Sequence, residues 1–433
     1  METVFSKITH RTCVAVSSKV IAIIIVAVIA VVGVAAYVMM TSEDTSWQKD
    51  ITESLEVFGN ANGDDRIDSD DVKALNAFIT SGWNEEKYPF ADANQDGKIT
   101  QADVNIVQDI IDGKTTNVYY INGNGDIKSC KYPVTKFVIG SPDLHPIINA
   151  VGAYKEAVAL TGLSGSVDEV VNKYTYGLPS VGSKSHLIDL DKLSKYNVDA
   201  VFTLNTPLYD SIEEILAETD VPCIRINPDD TDKSLQTFLL VGFLTKHTDQ
   251  VDKIVSFYDK YMDTIEKNVK KIKTQKTTVS MYSYSMCGVN YYLTKNTVSA
   301  GAKNLSDFTD NTKKIKDNPE WAAEDKYQAE YIIQYTGMDF YWAPTKEEMK
   351  EEFEYYGQYY TLMKAYPNKY VVFNKDLPDI ARIALVANYL YPEEFGSTFA
   401  KDLITEMVKV FYPYIEDFDY GKMCNVITYD MAY

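Results

Sequence analysis

Positive charge is scarce in this 433-residue chain: 42 lysines and arginines face 62 aspartates and glutamates, a formal net charge of −20 at pH 7. That balance excludes sequence-independent nucleic-acid binding, which needs basic patches to displace counterions. Only four histidines are present, too few for a His-built active site. Five cysteines in so long a chain make no disulfide framework, and no C-x-x-C or Cys/His spacing marks a zinc site. There is no G-x-S-x-G, no H-E-x-x-H and no phosphate-binding loop, so no catalytic residue is expected. What is plentiful is apolar and aromatic material, 45% and 12% of the chain, which excludes wholesale disorder. The length exceeds what one core usually serves, so more than one domain is expected.

A single long apolar run stands out. Val20 to Met40 carry no charge over 21 positions, enough to cross a hydrocarbon layer about 30 Å thick. Lys7, Arg11 and Lys19 precede it, and Glu43 and Asp44 follow. The positive-inside rule then assigns residues 1–19 to the cytoplasm, 20–40 to a transmembrane anchor and the rest to the extracytoplasmic side of the cell membrane, single-pass. The rival reading is a cleavable signal peptide, whose apolar stretch is usually about 7–15 residues. Residues 41–53 read as a linker.

Two matching segments then follow 32 residues apart. The first places Asn60, Asn62, Asp64, Arg66, Asp68 and Asp71 at positions 1, 3, 5, 7, 9 and 12 of a calcium loop; the second places Asp92, Asn94, Asp96, Lys98, Thr100 and Asp103 there. Position 7 contributes its backbone carbonyl, and position 6 needs a sharp turn. Gly97 supplies that turn in the second loop, whereas Asp65 occupies it in the first and would have to adopt φ > 0 at a cost of roughly 1–2 kcal/mol. Asn60 also removes one charge, so the first site is expected to be the weaker of two Ca2+ sites. A carboxylate of Asp at position 12, with helix only after each loop, resembles a type I dockerin over residues 54–114. The resemblance implies a cohesin-type partner, read by positions 10 and 11, here Ser69-Asp70 and Gln101-Ala102. Residues 115–133 alternate apolar and polar around Asn122-Gly-Asn-Gly-Asp126, which predicts a connecting hairpin.

From residue 134 the pattern is strand, loop, helix, repeated. Strands are predicted at 136–140, 198–204, 221–226, 277–283 and 369–373, and helices at 147–160, 211–218, 235–244, 380–390 and 399–411, with 329–334 also on a helix. A helix over 249–273 with a mixed charged face separates two such series. Alternating buried strands and helices argue for parallel α/β sheets, with ligand beyond the carboxyl ends of the strands. The expected architecture is two lobes, 134–246 and 274–433, joined by one long helix.

This layout resembles the single-helix-hinged substrate-binding proteins of ABC importers, the group that captures ferric siderophores, corrinoids and haem. Three stretches carry the likeness: Val181 through Asp189, Asp191 and Val198 to Val201; Glu330 through Asp339 and Trp342; and Tyr370 to Phe373 through Leu385, Tyr389, Pro392 and Phe395. Val198 stands where the family usually has proline, and Asp191 where it usually has glutamate. The resemblance implies a periplasmic-binding-protein-like fold, an ABC permease as partner and a metal chelate or macrocycle as ligand. It places Ser141, His145, Tyr176, Ser185, His186, Asn205, Tyr282, Tyr284, Trp342 and Arg382 on ligand-facing loops, an aromatic and hydroxyl lining suited to a bulky chelate. Arg382 would grip an anionic oxygen or pair with Asp379 on its own helix. Direct metal ligation by His145 and His186 is a weaker possibility. Asp191 and Glu330 match the acidic residues, one per lobe, that engage the permease. The leading expectation is thus a membrane-tethered receptor that releases its ligand unchanged. Two other classes stay open: a surface adhesion protein, and a dockerin-borne carbohydrate-active enzyme, which would need two carboxylates across one cleft.

Overall fold

The computed structural model describes residues 54–162, 168–229, 233–309, 312–339 and 342–433. The stretch 20–40, its flank 1–19 and the linker 41–53 lie outside the described residues. The expected single-pass cell-membrane localisation is corrected here: among the described residues no helix is long and apolar enough to cross a membrane.

The twin loops each lead into a helix, Ser69–Ser81 and Gln101–Ile111. Asp68 and Thr100 cap these helices, and the position-12 residues Asp71 and Asp103 complete reciprocal capping boxes. Each position-12 carboxylate therefore ends a loop and starts a helix at once. The predicted hairpin is present as β1 (Thr116–Ile121) and β2 (Ile127–Tyr132), antiparallel with Val118 opposite Cys130. It joins the twin-loop segment through a bridge between Val57 and Tyr120 and a bond from the Phe58 N–H to the Tyr119 carbonyl, 2.9 Å.

The first lobe is a fully parallel sheet of β3 (Phe137–Ile139), β4 (Ala157–Leu160), β5 (Ala200–Leu204) and β6 (Cys223–Ile226), ordered β4-β3-β5-β6. The helix expected over 147–160 is instead a helix at His145–Val151 followed by β4. Gly152 adopts φ 88 and closes the helix with a left-handed turn, so Ala157–Leu160 are released to pair with β3. Helices Asp210–Leu216 and Ser234–Leu244 follow as expected.

Helix Thr248–Val269 then runs to the second lobe. Its apolar stripe, including Ile254, Tyr258, Tyr261 and Ile265, is buried, while its charged face keeps salt bridges such as Lys267–Asp263 in solvent. The second lobe holds β7 (Thr277–Tyr282), β8 (Ser285–Cys287), β9 (Lys303–Asn304), β10 (Thr312–Lys314), β11 (Tyr331–Thr336), β12 (Tyr370–Asn374) and β13 (Val426–Ile427), with the path β10-β8-β7-β11-β12-β13 and β9 beside β7. Of residues 329–334, expected on a helix, 331–334 belong instead to the central strand β11, parallel to both β7 and β12. The run Tyr-Ile-Ile-Gln-Tyr-Thr is buried on both faces from Ile332 onward, Gln334 included, which suits an inner parallel strand. One apolar core runs through the hairpin, the first lobe, the long helix and the inner layer of the second lobe; a second core fills that lobe's outer side around Phe353, Tyr360 and Tyr370.

Candidate functional site

The two sheets turn the carboxyl ends of their strands toward a common cleft of about 460 Å³. From the first lobe, the segments after β3, β4 and β6 contribute Asp143, Asp168 with Asn172, and Asp229. From the second lobe come Tyr282 at the end of β7, Met338 and Asp339 past β11, and Asn374 to Pro378 past β12. Phe238, Tyr258, Tyr292 and Tyr412 supply aromatic surface.

The centre of the cleft wall is a polar knot on helix Asp379–Leu390. Asp379 accepts from Ser234 Oγ of the first lobe at 2.9 Å and from the Tyr258 hydroxyl of the long helix at 2.7 Å. Burial pushes its carboxyl up, with Arg382 and the two hydroxyls opposing. Arg382 does not pair directly with Asp379. Its Nε donates to Asn296 Oδ1 at 2.7 Å, its Nη1 to the Lys375 and Leu377 carbonyls at 2.7 Å each, and Nη1 stands 3.6 Å from Asp229 of the first lobe. Nη2 is buried without a hydrogen-bond partner. One arginine thus faces the cleft and joins loops from both lobes.

Carboxylates dominate the remaining charge: Asp143, Asp168, Asp229, Asp339, Asp376 and Asp379 against Lys375 and Arg382. Asp376 pairs with Lys375. Asp143 is wetted by the cleft yet surrounded by protein, and that burial, then repulsion from Asp229, raises its carboxyl above the ordinary range while Lys375 offsets part of the rise. The spacing of aromatic and hydroxyl residues gave no sign of this acidity, because the aspartates come from five segments, after β3, β4, β6, β11 and β12.

Of the ten ligand-facing residues expected, Tyr282 and Arg382 line the cleft. The other eight lie off its wall. Ser141 is buried with Oγ 2.8 Å from the Tyr209 hydroxyl. His145 is a core histidine, Nδ1 2.9 Å from Thr175 Oγ1, and burial drives its pKa down to about 4. Tyr176 is exposed on the first lobe. Ser185 and His186 engage through their carbonyls, with Thr161 at 2.7 Å and Ser211 at 2.6 Å. Asn205 is turned to the hairpin, its Nδ2 donating to the Gly123 carbonyl at 2.8 Å. Tyr284 belongs to a surface cluster with Tyr355, Tyr356 and Tyr359. Trp342 packs against the outer core of the second lobe. Asp191 is exposed at the first turn of helix Leu190–Leu193, whereas Glu330 sits at the amino end of β11, away from the cleft, held by Lys276 at 3.3 Å and Lys369 at 3.0 Å.

In the twin loops the predicted ligand residues keep their order. Asn60, Asn62, Asp64, Asp71, Asp92 and Asp103 are buried polar groups. Asp71 accepts from the backbone of Asn62 and Asp68, and Asp103 accepts from that of Asn94 and Thr100. Burial, helped by neighbouring carboxylates and opposed by the backbone N–H groups, lifts Asp71 to about 8 and raises Asp103 in the same direction. The loops differ at their turns. Gln95 and Gly97 take φ 59 and 81 in the second loop; in the first, Gly63 takes φ 78 and Asp65 stays out of the left-handed region, contrary to expectation. Asn60 has its amide on the Leu55 and Asp64 carbonyls, so the first loop is largely self-bonded. Arg66 reaches Asp65 and, at 3.3 Å, Asp252 of the long helix. Among the described residues no three His, Cys, Asp or Glu side chains converge tightly enough to hold a metal ion.

No curated protein matches this chain. Among solved structures it is similar to an ABC transporter solute binding protein from Sulfurospirillum deleyianum, with TM-score 0.53, 14% identity and coverage of 68% of this chain and 95% of that one. It is also similar to a TroA-like periplasmic binding protein, FepB, from Veillonella parvula, with TM-score 0.53, 15% identity and coverage of 68% and 96%. The molybdate periplasmic binding protein MolA of Haemophilus influenzae gives TM-score 0.54, 12% identity and coverage of 68% and 98%. At these identities the likeness is one of fold. The family model described as periplasmic binding protein matches residues 138–376, more than half of the sequence and both walls of the cleft, so the chain belongs to the periplasmic binding protein family.

Proposed function

We propose that this protein is the solute-capturing component of an ABC importer, that it takes a metal chelate or macrocycle of the siderophore, corrinoid or haem kind, and that it hands this solute unchanged to a permease. The reading rests on one observation: a cleft of about 460 Å³ at the carboxyl ends of both sheets, with a single 22-residue helix as the long connection between the lobes. One stiff helix permits modest closure around a guest. Native mass spectrometry of the purified protein against haem, corrinoids and ferric siderophores tests it: one equivalent retained and recovered intact supports capture, and failure to retain any of them removes the proposal.

We also propose that the twin loops are a calcium-dependent dockerin-like module for a cohesin-type partner. The support is donor type and order, an all-oxygen set at the calcium-loop offsets of which Asn60, Asn62, Asp64, Asp71, Asp92 and Asp103 are buried. Ser69, Gln101 and Ala102 at the reading positions are exposed. Calcium would add positive charge beside these carboxylates when bound, and Asp92, Asn94, Asp96, Thr100 and Asp103 would hold it in the second loop. Calorimetric titration with Ca2+ checks this: Asp92→Ala should remove the tighter site and Asn60→Ala the weaker one. Unchanged protein on calcium addition would overturn it.

A further inference from the structure

The hairpin turn closes only part of the first lobe's open sheet edge. The Pro222 and Ile226 carbonyls along β6 accept from the Val201 and Asn205 N–H groups on the β5 side, each at 3.0 Å. The alternate residues, Cys223 and Arg225, therefore point their backbone groups away from β5. Arg225 is satisfied there by Gly123 and Asn122 of the turn, at 2.8 and 2.7 Å. Among the described residues nothing pairs with the backbone of Cys223 on that side.

A second free edge lines the same space. In β1 the Tyr119 carbonyl and the Ile121 N–H bond outward, to Phe58 and Glu56, so Tyr119 and Ile121 exchange no bonds with their opposite residues Ser129 and Ile127. The alternation along β2 then turns the backbone groups of Ser129 and Lys131 away from β1, and among the described residues these too lack a partner. Ser129, Lys131 and Cys223 line one groove of about 540 Å³ that shares no residue with the solute cleft.

The chemistry of the groove fixes what it can receive. Unpaired N–H and C=O groups at strand spacing pair with the backbone of an extended segment. Charge decides whose segment that is. Lysines on an edge usually repel an added strand, but Lys128 is held by Glu213 at 3.3 Å and Lys131 by Asp199 at 3.1 Å. Asp220 in the groove is exposed, as are Glu214 and Glu218 near it in the chain, and among the described residues none of the three meets a cation. A second copy would bring its own net charge of −20, whereas a basic segment would be drawn in.

We propose that this groove takes one extended, basic segment of a partner protein as an added strand between β2 and β6, leaving the solute cleft free.

The test follows the fluorescence anisotropy of a labelled octapeptide, alternating lysine and valine, on the intact protein. It should bind at least about tenfold tighter than the same peptide N-methylated at every valine, which cannot complete a ladder. Ser129→Pro removes an N–H that points away from β1, a change an edge strand tolerates, and should weaken the peptide at least about tenfold with the thermal midpoint held. Asp220→Lys should weaken it about three- to tenfold. Asp325→Lys, a control on the second lobe whose side chain is 99% exposed, should not. Equal binding of the N-methylated peptide, binding of neither, or a folded Ser129→Pro protein that binds as before overturns the proposal. Equal weakening by the two charge reversals overturns it too, because the attraction would then belong to the whole surface. Should Ser129→Pro fail to fold, the N-methylated peptide and Asp220→Lys decide between the same outcomes. A concentration-dependent dimer in sedimentation that Ser129→Pro abolishes would make a second copy the occupant and overturn the basic partner.

Discussion

The two lobes solve the same problem, a sheet with open edges, in different ways. The second lobe finishes itself: β8 and β10 run antiparallel on one side and β13 on the other, all from its own chain. The first lobe stops at four parallel strands, and β6 is met by the turn of the hairpin that precedes the lobe. The Gly123 N–H donates to the Arg225 carbonyl at 2.8 Å, the Arg225 N–H donates to Asn122 Oδ1 at 2.7 Å, and Asn205 and Asn227 both donate to the Gly123 carbonyl. An unpaired edge invites pairing with other chains, so something must cover it. The difference teaches that the twin-loop segment and its hairpin are a structural part of the first lobe, while the second lobe closes its sheet with its own strands.

The comparison is most severely strained where the lobes share one residue. Arg382→Leu would leave Asn296 Oδ1 and two carbonyls without their donor in a buried setting, and would also take the partner from Asp229, which is 45% exposed. A loss of about 3–5 kcal/mol is expected, read from urea unfolding. Hydrogen exchange should show lost protection on both sides of the cleft; loss confined to the second lobe would mean that the lobes are energetically separate. Acid acts next, through a buried group of the first lobe. His145 is held neutral by burial, with its pKa lowered from 6.5 to about 4. The unfolded chain therefore takes up this proton first, so stability is intact above about 6.5 and is lost as the pH falls toward 4. The loss attributable to it is roughly 3 kcal/mol. His145→Asn should flatten that part of the pH profile, measured by denaturant midpoints from pH 7 to 4. Gly123→Ala then strikes the covered edge: a Cβ there would lie 2.9 Å from the Arg225 carbonyl oxygen and 3.0 Å from Asn205 Cβ. About 1–3 kcal/mol should be lost, with exchange rising in β6 and not in β11 or β12.

The parts legible in the sequence were those written in local pattern. Strands such as Ala200–Leu204 and Tyr370–Asn374 and the long helix fall where apolar runs and 3.6-residue periodicity put them. Tyr331–Thr336 did not, because a doubly buried strand and a buried helix look alike over six residues, and only pairing with β7 and β12 decides between them. The cleft was legible in place but not in composition. The segments after β3 and β7 were among those expected and reach the cleft, those after β6 and β12 were not, and Ser141, His145 and Asn205 turn away because each satisfies a partner: Tyr209, Thr175 and the Gly123 carbonyl. Asp143, Asp229 and Asp376 are far apart in sequence and meet only once two sheets face one another. No spacing rule reaches across such a gap.

The smallest effect separates what joins the twin-loop segment to the first lobe from what merely decorates the join. Lys233 Nζ lies 2.7 Å from Glu56 Oε1, but their side chains are 42% and 29% exposed. Arg66 and Asp252, at 3.3 Å, are 40% and 42% exposed. Water screens both pairs, so a double-mutant cycle on Lys233→Ala and Glu56→Ala should return only about 0.2–1 kcal/mol of coupling, shrinking further in high salt. The adhesion rests instead on dry contacts: Leu55, Val57 and Ile110 share the apolar core with Val118 and Tyr120, all buried. Val57→Ala should therefore cost more than either charged change. A coupling energy above that of Val57→Ala and insensitive to salt would reverse the assignment and make the join an ionic one.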